Sequence, residues 1–405
     1  MAIRKREEKQ ITLAEWIIEK TNTEAYRAGT LGGMKHFKVD TQLLKSVGGR
    51  KKFMEQVNFL EKQTEIGRTE KISFEKTNVN TDVKRINYEV AIIPQLCELE
   101  NVEDTREHQL KLISAVKNGK EQVEDCEWLC TYYDNLLERL CAGKIVSEAE
   151  DELLFQCINA VAKQKEPIWE RVFSARVFND SKRFSDRKRG YKSKVCTILK
   201  NYSPYYEEEM EDDEILAQHG IHSYAQTLEW KGPLSYQIDG KNIIATAANY
   251  YGTVLNTQTL DHAEAYALPD CKRVMTIENK ANYESMIYSD NTLYVFCHGF
   301  FSPKEVRFLK HICEIVPEEC EFYHWGDMDF GGICIFQFIK EKVFPKVQPY
   351  RMNALEYWNA IEAGAGIELE ESKRKKLQEK DAGELAEVKE CILQTGKTIE
   401  QERLL

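Results

Sequence analysis

The sequence predicts a chain of several domains, one of them a doubly wound α/β domain and others of the α+β class. Three observations support this prediction. Strand and helix patterns alternate in the carboxyl-terminal part, two earlier regions place helix patterns before hairpin patterns, and a long stretch between those regions has helical spacing alone. Alternation of strand and helix is typical of a parallel sheet covered by helices on both faces. A chain of 405 residues is long enough for about two to four domains.

Composition limits the class of protein. The chain is 42% hydrophobic and 30% charged, which predicts folded domains. It has no apolar run of transmembrane length, and its charged start at residues 1–8 does not resemble a signal peptide. Twelve cysteines without a CxxC pair favour a reduced, cytoplasmic protein that lacks a structural zinc site.

The amino-terminal region combines helices with a hairpin. The pattern predicts a helix at residues 12–28, a glycine-containing loop, a helix at 52–67, and strands at 71–76 and 83–90 joined by a polar turn at 77–81. A helix followed by a hairpin is the outline of a winged helix, which we place at residues 1–93. Winged helices bind DNA or dock proteins, and the sequence leaves both roles open.

Residues 94–165 predict a helical spacer. Apolar residues recur there at three- and four-residue spacing, and no candidate catalytic group accompanies them. The pattern changes after this stretch, where a second region of mixed helix and strand begins.

Residues 166–265 predict a central winged-helix domain of the CAP-like type that binds DNA. Helices are expected at 168–177, 192–199 and 211–218, and strands at 226–230, 234–238 and 243–246, with a hairpin turn at Asp239-Gly240. Residues 182–200 contain eight Lys or Arg residues and one Asp, although the whole chain has a net charge of −11. Local charge decides whether phosphate is attracted, so this stretch is a candidate DNA-binding surface. An ordinary solvated basic face is the alternative.

Residues 266–361 contain the α/β pattern. Strands are expected at 273–278, 293–297, 321–325 and 347–351, and helices at 282–288, 302–315 and 333–343. The middle helix begins with Ser302-Pro303-Lys304-Glu305, which is a capping box with proline at the first helical position. From residue 362 to 405 the chain is charged, and we expect it to be helical.

Three acidic residues follow two of these strands. Glu278 ends the first strand, and Asp327 and Asp329 follow the third, so all three are expected at the carboxyl edge of one sheet, where α/β domains bind ligands. Carboxylate oxygens suit Mg²⁺ or Mn²⁺, and one or two ions are compatible with this set. His298 and His324 lie near this edge, and we interpret them as packing or hydrogen-bonding residues. A solvated turn that caps a helix is the alternative for the two aspartates.

These residues also form a family resemblance. Thr276-Ile-Glu278-Asn279, Gly299-Phe300 and Trp325-Gly-Asp327-Met-Asp329-Phe-Gly-Gly332 resemble a Toprim domain, which has a Rossmann-like parallel sheet. More narrowly, they resemble the JetD nuclease subunits of bacterial Wadjet plasmid-defence systems. The segments 177–182 and 400–403 are similar to that family as well. The resemblance is strong over residues 266–405 and weaker towards the amino terminus.

The resemblance implies a homodimeric, metal-dependent endonuclease that cuts circular double-stranded DNA with an SMC- and kleisin-type ATPase complex. Glu278, Asp327 and Asp329 would be the catalytic and metal-binding residues, with Asn279 and Gly332 in support. The chain itself has no GxxxxGK[ST] phosphate loop. The basic residues expected to hold DNA phosphates are Lys182, Arg183, Arg187, Lys188, Arg189, Lys192 and Lys194.

Three other functions stay open at this point. The related topoisomerase VI A subunits cut DNA with a tyrosine, and the candidates here are Tyr191, Tyr202, Tyr205 and Tyr206. None of them has the double-tyrosine pattern of those enzymes, which favours hydrolysis by an activated water. A non-catalytic DNA-binding dimer scaffold is the second alternative. A haloacid-dehalogenase phosphatase is the third, although its DxD motif belongs on the opening strand.

Overall fold

The computed structural model describes residues 10–63, 71–77, 82–223 and 227–404. It is a mixed α/β structure, as the sequence predicts, and it divides into two compact units with a boundary between Ala162 and Lys163. In the described ranges, no helix combines the length and the apolar character needed to cross a membrane. The twelve cysteines are all free thiols.

The first unit begins with helices around a small sheet and continues as helices alone. Its helices are α1 (Leu13–Thr21), α2 (Glu24–Arg27), α3 (Thr41–Ser46), α4 (Arg50–Lys62), α5 (Ile93–Glu100), α6 (Thr105–Glu121), α7 (Glu127–Cys141) and α8 (Glu152–Ala162). Its strands are β1 (Met34–Lys38), β2 (Ile72–Lys76) and β3 (Val83–Glu89), which form an antiparallel sheet in the order β1-β3-β2.

Buried apolar residues at helical and strand spacing explain the first part of this unit. Phe53, Val57 and Leu60 recur at four- and three-residue intervals on α4, and all three are buried. Ile72 and Phe74 alternate with exposed residues on β2, so one face of the sheet packs on the helices.

Two predictions for this region need correction. The single helix expected at 12–28 is two helices, because α1 ends at a cap on Asn22 and Thr23 caps α2. The expected loop after Gly33 contains β1, which pairs with β3 although three of its five residues are polar. The expected positions 64–67 of the second helix and 78–81 of the turn lie outside the described residues. The helical prediction for 94–165 is confirmed as far as Ala162.

The second unit contains the alternating pattern. Its helices are α9 (Glu170–Phe178), α10 (Lys192–Tyr202), α11 (Asp212–Gln218), α12 (Thr257–His262), α13 (Lys280–Ser285), α14 (Pro303–Ile315), α15 (Phe330–Lys342), α16 (Ala354–Glu362), α17 (Glu371–Glu379) and α18 (Ala386–Thr395). Its longer strands are β6 (Thr227–Lys231), β7 (Ser235–Ile238), β8 (Asn242–Ala245), β9 (Thr253–Asn256), β10 (Ala263–Ala267), β11 (Arg273–Ile277), β12 (Thr292–Phe296) and β13 (Glu321–Trp325). Two-residue strands complete it: β4 (Ile168–Trp169), β5 (Ile221–His222), β14 (Gln348–Pro349), β15 (Ile367–Glu368) and β16 (Lys397–Thr398).

A six-stranded sheet is the centre of this unit. Its order is β14-β13-β11-β12-β6-β9, and β14, β13, β11 and β12 run parallel. In chain order, the strand after β11 lies on one side of it and the following strand lies on the other. The sheet therefore has a topological switch point between β11 and β13, which is where doubly wound sheets bind ligands.

The elements next to this switch point are buried because they lie at the centre of the unit. Residues 274–277 of β11 are all buried, which is typical of a central parallel strand covered on both faces. Helix α15 is buried around most of its circumference, since Ile333, Cys334, Ile335 and Phe336 are all inaccessible or nearly so. The capping box predicted at the start of α14 is present, with Ser302 and Glu305 bonded reciprocally.

The strands predicted for the hairpin region are found in part as expected. Strands β7 and β8 form the hairpin around Asp239 and Gly240, which both have positive φ, and β10 pairs with β7 to complete a three-stranded sheet. Strands β6 and β9, however, join the six-stranded sheet through β12, so that sheet includes residues on both sides of position 265. The helix expected at 168–177 begins at Glu170, because the two residues before it form β4.

Candidate metal centre

The three predicted acidic residues lie at the switch point of the six-stranded sheet. Glu278 directly follows β11, and Asp327 and Asp329 lie between β13 and α15. Strands β11 and β13 are parallel neighbours in register, with Ile277 opposite Trp325. The loops at their carboxyl ends are therefore adjacent, and the structure brings the acidic residues of both loops together.

Each of the three carboxylates is oriented by one backbone N–H group. Asp327 donates its N–H to Oε2 of Glu278 at 3.3 Å, and Gln401 donates its N–H to Oδ1 of Asp327 at 2.7 Å. Gly332 donates to Oδ1 of Asp329 at 2.8 Å, so that aspartate caps α15 as well. The second oxygen of each carboxylate accepts no hydrogen bond from the described residues. Each group thus has one oxygen that fixes its orientation and one that is available to a ligand.

Two glycines leave the space that allows the acidic loops and their side chains to lie close together. A Cβ atom on residue 326 would lie 2.4 Å from Oε2 of Glu278 and 2.7 Å from Nε2 of His324. A Cβ atom on residue 332 would lie 2.1 Å from the backbone oxygen of Asp327. Real Cβ atoms do not approach so closely. Gly332 is therefore required by its contact with the backbone, whereas a side chain at residue 326 would displace the carboxylate of Glu278 and the ring of His324.

The carboxylates repel one another. Burial and the negative charges of Asp327 and Asp329 raise the pKa of Glu278 from its ordinary 4.5 to about 8. Burial also raises the pKa of Asp327 from 3.8 to about 6, against the opposing hydrogen bond from Gln401 and with a further contribution from Asp329. Nearby like charges and desolvation both favour the protonated form of a carboxyl group. The acids are close enough to share one electrostatic environment.

The donor set suits a hard cation. In the described part of the chain, none of the ion pairs involves Glu278, Asp327 or Asp329, so no Lys or Arg neutralises them. Carboxylate oxygens without a soft sulfur or imidazole partner are typical Mg²⁺ or Mn²⁺ ligands. The side chains are not arranged as a finished cage, since no group of three or more His, Cys, Asp or Glu among the described residues has metal-binding geometry.

The two histidines at this edge form hydrogen bonds with protein groups. His324 is fully buried, its Nδ1 lies 2.8 Å from the hydroxyl of Thr276, and burial lowers its pKa to about 3, so the ring is neutral. His298 follows β12, and its Nε2 lies 2.9 Å from the buried carboxylate of Glu305. Neither histidine forms a hydrogen bond with any of the three acids. This agrees with their interpretation from sequence as packing or hydrogen-bonding residues.

The structure adds one residue that the sequence analysis did not select. Gln401 is fully buried and contacts both acidic loops through Asp327 and Asn279. Its segment, residues 400–403, is part of the family resemblance, but no sequence pattern indicates that this segment contacts residues more than 70 positions earlier. Asn279, predicted as a supporting residue, caps α13 and donates its N–H to Gln401.

The predicted DNA-binding residues divide into two groups. Lys182, Arg187, Lys188, Arg189 and Lys194 are exposed, and Arg183 is half-buried with its guanidinium over the Tyr191 ring. Lys192 differs from them, because its ammonium lies 2.8 Å from Glu170 and 2.5 Å from Asp213. These ion pairs join α10 to α9 and α11, so Lys192 stabilises the local fold.

The candidate tyrosines occupy different environments. Tyr191 is buried and stacks on Phe178 at 4.9 Å between ring centroids, while Tyr205 is 56% exposed beside His219. Tyr202 and Tyr206 are half-buried. No described hydrogen bond joins any of the four to the acidic loops.

Comparison with known proteins shows which family this chain is similar to. Residues 240–405 match the family model described as Wadjet protein JetD, C-terminal. The chain is also similar to the Wadjet protein JetD of Bacillus cereus (strain Q1), with 26% identity over 340 residues, which are 82% of this chain and 81% of that relative. The matched family region includes the three acids and Gln401.

We expect Gly332→Ala to destabilise the protein by about 1–3 kcal/mol, because the new methyl group would collide with the backbone of Asp327. Gly331→Ala is the matched control, since its Cβ would meet its nearest neighbour, an oxygen of Asp329, at 3.4 Å. Urea denaturation of both variants measures the difference. Equal stabilities of the two variants would show that the loop moves at little cost to accommodate the methyl group. The close contact between residue 332 and the backbone of Asp327 would then not limit stability.

We expect Glu278→Gln to stabilise the metal-free protein at high pH. Between pH 4.5 and about 8 the folded state retains a proton that the unfolded state releases, so the wild-type free energy of unfolding falls as pH rises through this window. A glutamine removes this loss, which is on the order of 5 kcal/mol. Urea denaturation at pH 5 and pH 9, with EDTA, should show near-equal stabilities at pH 5 and a more stable variant at pH 9. A difference that does not change with pH would contradict the prediction.

Proposed function

Because the chain belongs to the Wadjet JetD family, we propose that it is the metal-dependent DNA endonuclease subunit of a Wadjet-type plasmid-defence complex. The observation on which this proposal rests is the convergence of Glu278 and Asp327 at the switch point of the six-stranded sheet. In this proposal the sheet is a Toprim domain, and the chain is a homodimer that works with an SMC- and kleisin-type ATPase complex on circular DNA. Winged-helix domains at 1–93 and 166–265 belong to the same proposal.

The acidic loops would hold one or two Mg²⁺ or Mn²⁺ ions through Glu278, Asp327 and Asp329. When bound, such an ion supplies Lewis-acid stabilisation of phosphate charge and lowers the pKa of water. The chain contributes orientation, because backbone N–H groups hold one oxygen of each carboxylate in place. It also contributes a partly buried site in which the interaction between carboxylate and cation is stronger than in bulk water.

The exposed basic residues between 182 and 194 would bind the DNA backbone. Their side chains are long, charged and solvent-accessible, which suits phosphate contacts that do not read sequence. The loop that presents them is held by Asp186, whose carboxylate accepts the N–H groups of Lys188 and Arg189 at 2.9 and 2.7 Å. We assign no DNA contact to Lys192, which forms ion pairs within the protein.

Hydrolysis by water is the mechanism that the tyrosine environments favour. A tyrosine nucleophile needs an accessible hydroxyl beside the metal centre, and Tyr191 is buried in an aromatic stack. Tyr205 is accessible, its ring packs against His219, and within the described part of this chain no hydrogen bond or ring contact joins it to the acidic loops. The alternative mechanism, which forms a covalent enzyme–DNA intermediate, requires that one of the four tyrosines is essential for cleavage.

We expect the purified protein, with its partner complex and Mg²⁺ or Mn²⁺, to nick or linearise circular plasmid. Glu278→Ala should reduce the rate at least about a hundredfold, because a lost metal ligand costs more than a lost outer-shell partner. Glu321→Ala is the matched control, since Glu321 is an exposed acid at the opposite end of β13. The assay is gel separation of supercoiled, nicked and linear DNA over time.

Two results would overturn this proposal. Cleavage that survives EDTA would exclude the metal mechanism, and undiminished cleavage by Glu278→Ala would favour the non-catalytic scaffold. Phenylalanine replacements at Tyr191, Tyr202, Tyr205 and Tyr206, made one at a time, test the tyrosine mechanism. Complete loss of cleavage in one folded tyrosine variant would replace the water mechanism by a covalent one.

We expect the triple variant Arg187→Gln, Lys188→Gln, Arg189→Gln to bind DNA more weakly and with less salt dependence. Each lost phosphate contact reduces the slope of log K against log salt concentration by about 0.9. Fluorescence anisotropy with a short duplex of mixed sequence, measured at several salt concentrations, gives that slope. Lys192→Gln is the control and should leave the slope unchanged while it lowers the stability of the protein. An unchanged slope in the triple variant would show that this loop does not contact DNA.

A further inference from the structure

The last described residues of the chain pack against the acidic loops. We name residues 397–404 the terminal segment. Its Ile399 forms an antiparallel bridge with Met328, in which the two residues exchange N–H···O bonds of 2.9 and 3.1 Å. Met328 lies between Asp327 and Asp329, so the terminal segment pairs directly with the backbone that presents both aspartates. Both Met328 and Ile399 are fully buried.

Gln401 joins the two acidic loops through three hydrogen bonds. Its N–H donates to Oδ1 of Asp327 at 2.7 Å, and its side-chain Oε1 accepts the N–H of Asn279 at 2.9 Å. Its backbone oxygen accepts a hydrogen bond from the side chain of Asn282 at 3.0 Å. Asn279 directly follows Glu278, so this one residue contacts the loop after β13 and the loop after β11 at the same time.

These hydrogen bonds are made in a fully buried environment. Gln401 and Asn282 are both fully inaccessible to solvent. In the described structure, Nε2 of Gln401 and Oδ1 of Asn282 have no hydrogen-bond partner. A buried polar atom without a partner costs about 1–3 kcal/mol, so a residue selected for packing alone would be apolar at this position. The side-chain amide of Gln401 makes one hydrogen bond here, from the N–H of Asn279 to its Oε1, and this bond holds the loop after β11.

The terminal segment also carries negative charge near Asp327. Glu400 and Glu402 flank Gln401, and their negative charges act on Asp327. Both glutamates are exposed, and Glu400 lies 3.6 Å from the guanidinium of Arg403, so solvent and this ion pair weaken the repulsion. A cation bound between the loops would attract these glutamates as well as Asp327 and so offset the repulsion among them.

We infer that Gln401 is a positioning residue of the metal centre, which sets the separation of the carboxylates of Glu278 and Asp327. The inference rests on the proposed function, because it assumes that these carboxylates bind a metal ion. Residues that orient metal ligands typically change metal affinity about 10- to 100-fold when they are replaced. The terminal segment would thus determine the affinity of the site without providing a metal ligand of its own.

The test is direct titration of the full-length protein with Mn²⁺, followed by electron paramagnetic resonance of the free ion. Gln401→Ala removes the bond to Asn279, and Asn282→Ala removes the bond to the Gln401 backbone without changing the terminal segment. Each variant should weaken Mn²⁺ binding about tenfold or more while circular dichroism stays unchanged. Gln218→Ala is the matched control, because that side chain, like the side chain of Asn282, donates to a backbone oxygen, that of Phe301 at 3.2 Å, and among the described residues it forms no hydrogen bond with the three acids.

The outcomes separate the two proposals. Saturable Mn²⁺ binding by the wild type that disappears in Glu278→Ala supports the metal centre, and its absence would refute the proposed function itself. If the wild type binds Mn²⁺ and folded Gln401→Ala binds it equally well, the positioning role is wrong. If Gln401→Ala does not fold, Asn282→Ala decides, since it leaves the backbone bond to Asp327 in place. A change in affinity in the Gln218→Ala control equal to that of the variants would also overturn the inference.

Discussion

Mutual repulsion of carboxylates at the ends of two neighbouring parallel strands is the constraint on which the second unit depends. The register of β11 and β13 places Glu278 beside Asp327, and burial leaves these charges poorly solvated. Such a cluster lowers the stability of the metal-free fold, and functional sites commonly have this property. The surrounding structure has to hold the acids in position against that repulsion.

Three kinds of contact meet this requirement. Backbone N–H groups orient one oxygen of each acid, glycines at 326 and 332 leave space for the carboxylate and the backbone, and Gln401 joins the loops from the far end of the chain. None of these contacts neutralises the charge. These contacts therefore fix the positions of the carboxylates but leave their negative charge uncompensated. A divalent cation would compensate that charge.

Positive and negative charge are separated within the second unit. The acids face the switch point of the sheet, while exposed Lys and Arg residues lie on the loop between α9 and α10. The ion pairs of Lys192 show that a basic stretch in a sequence contains residues with different roles. A protein with a net charge of −11 can still present a local surface that attracts phosphate.

The sequence by itself determined the features that depend on local pattern. The alternation of apolar strands and helices, the capping box at Ser302, and the acids at the ends of β11 and β13 were all readable because each involves residues close in the chain. Tertiary structure alone decided that the mostly polar β1 pairs with β3, that β6 and β9 join the six-stranded sheet, and that Gln401 reaches Asp327. Strand partners and distant hydrogen bonds are chosen by the packing of the whole unit, and no local periodicity records that choice.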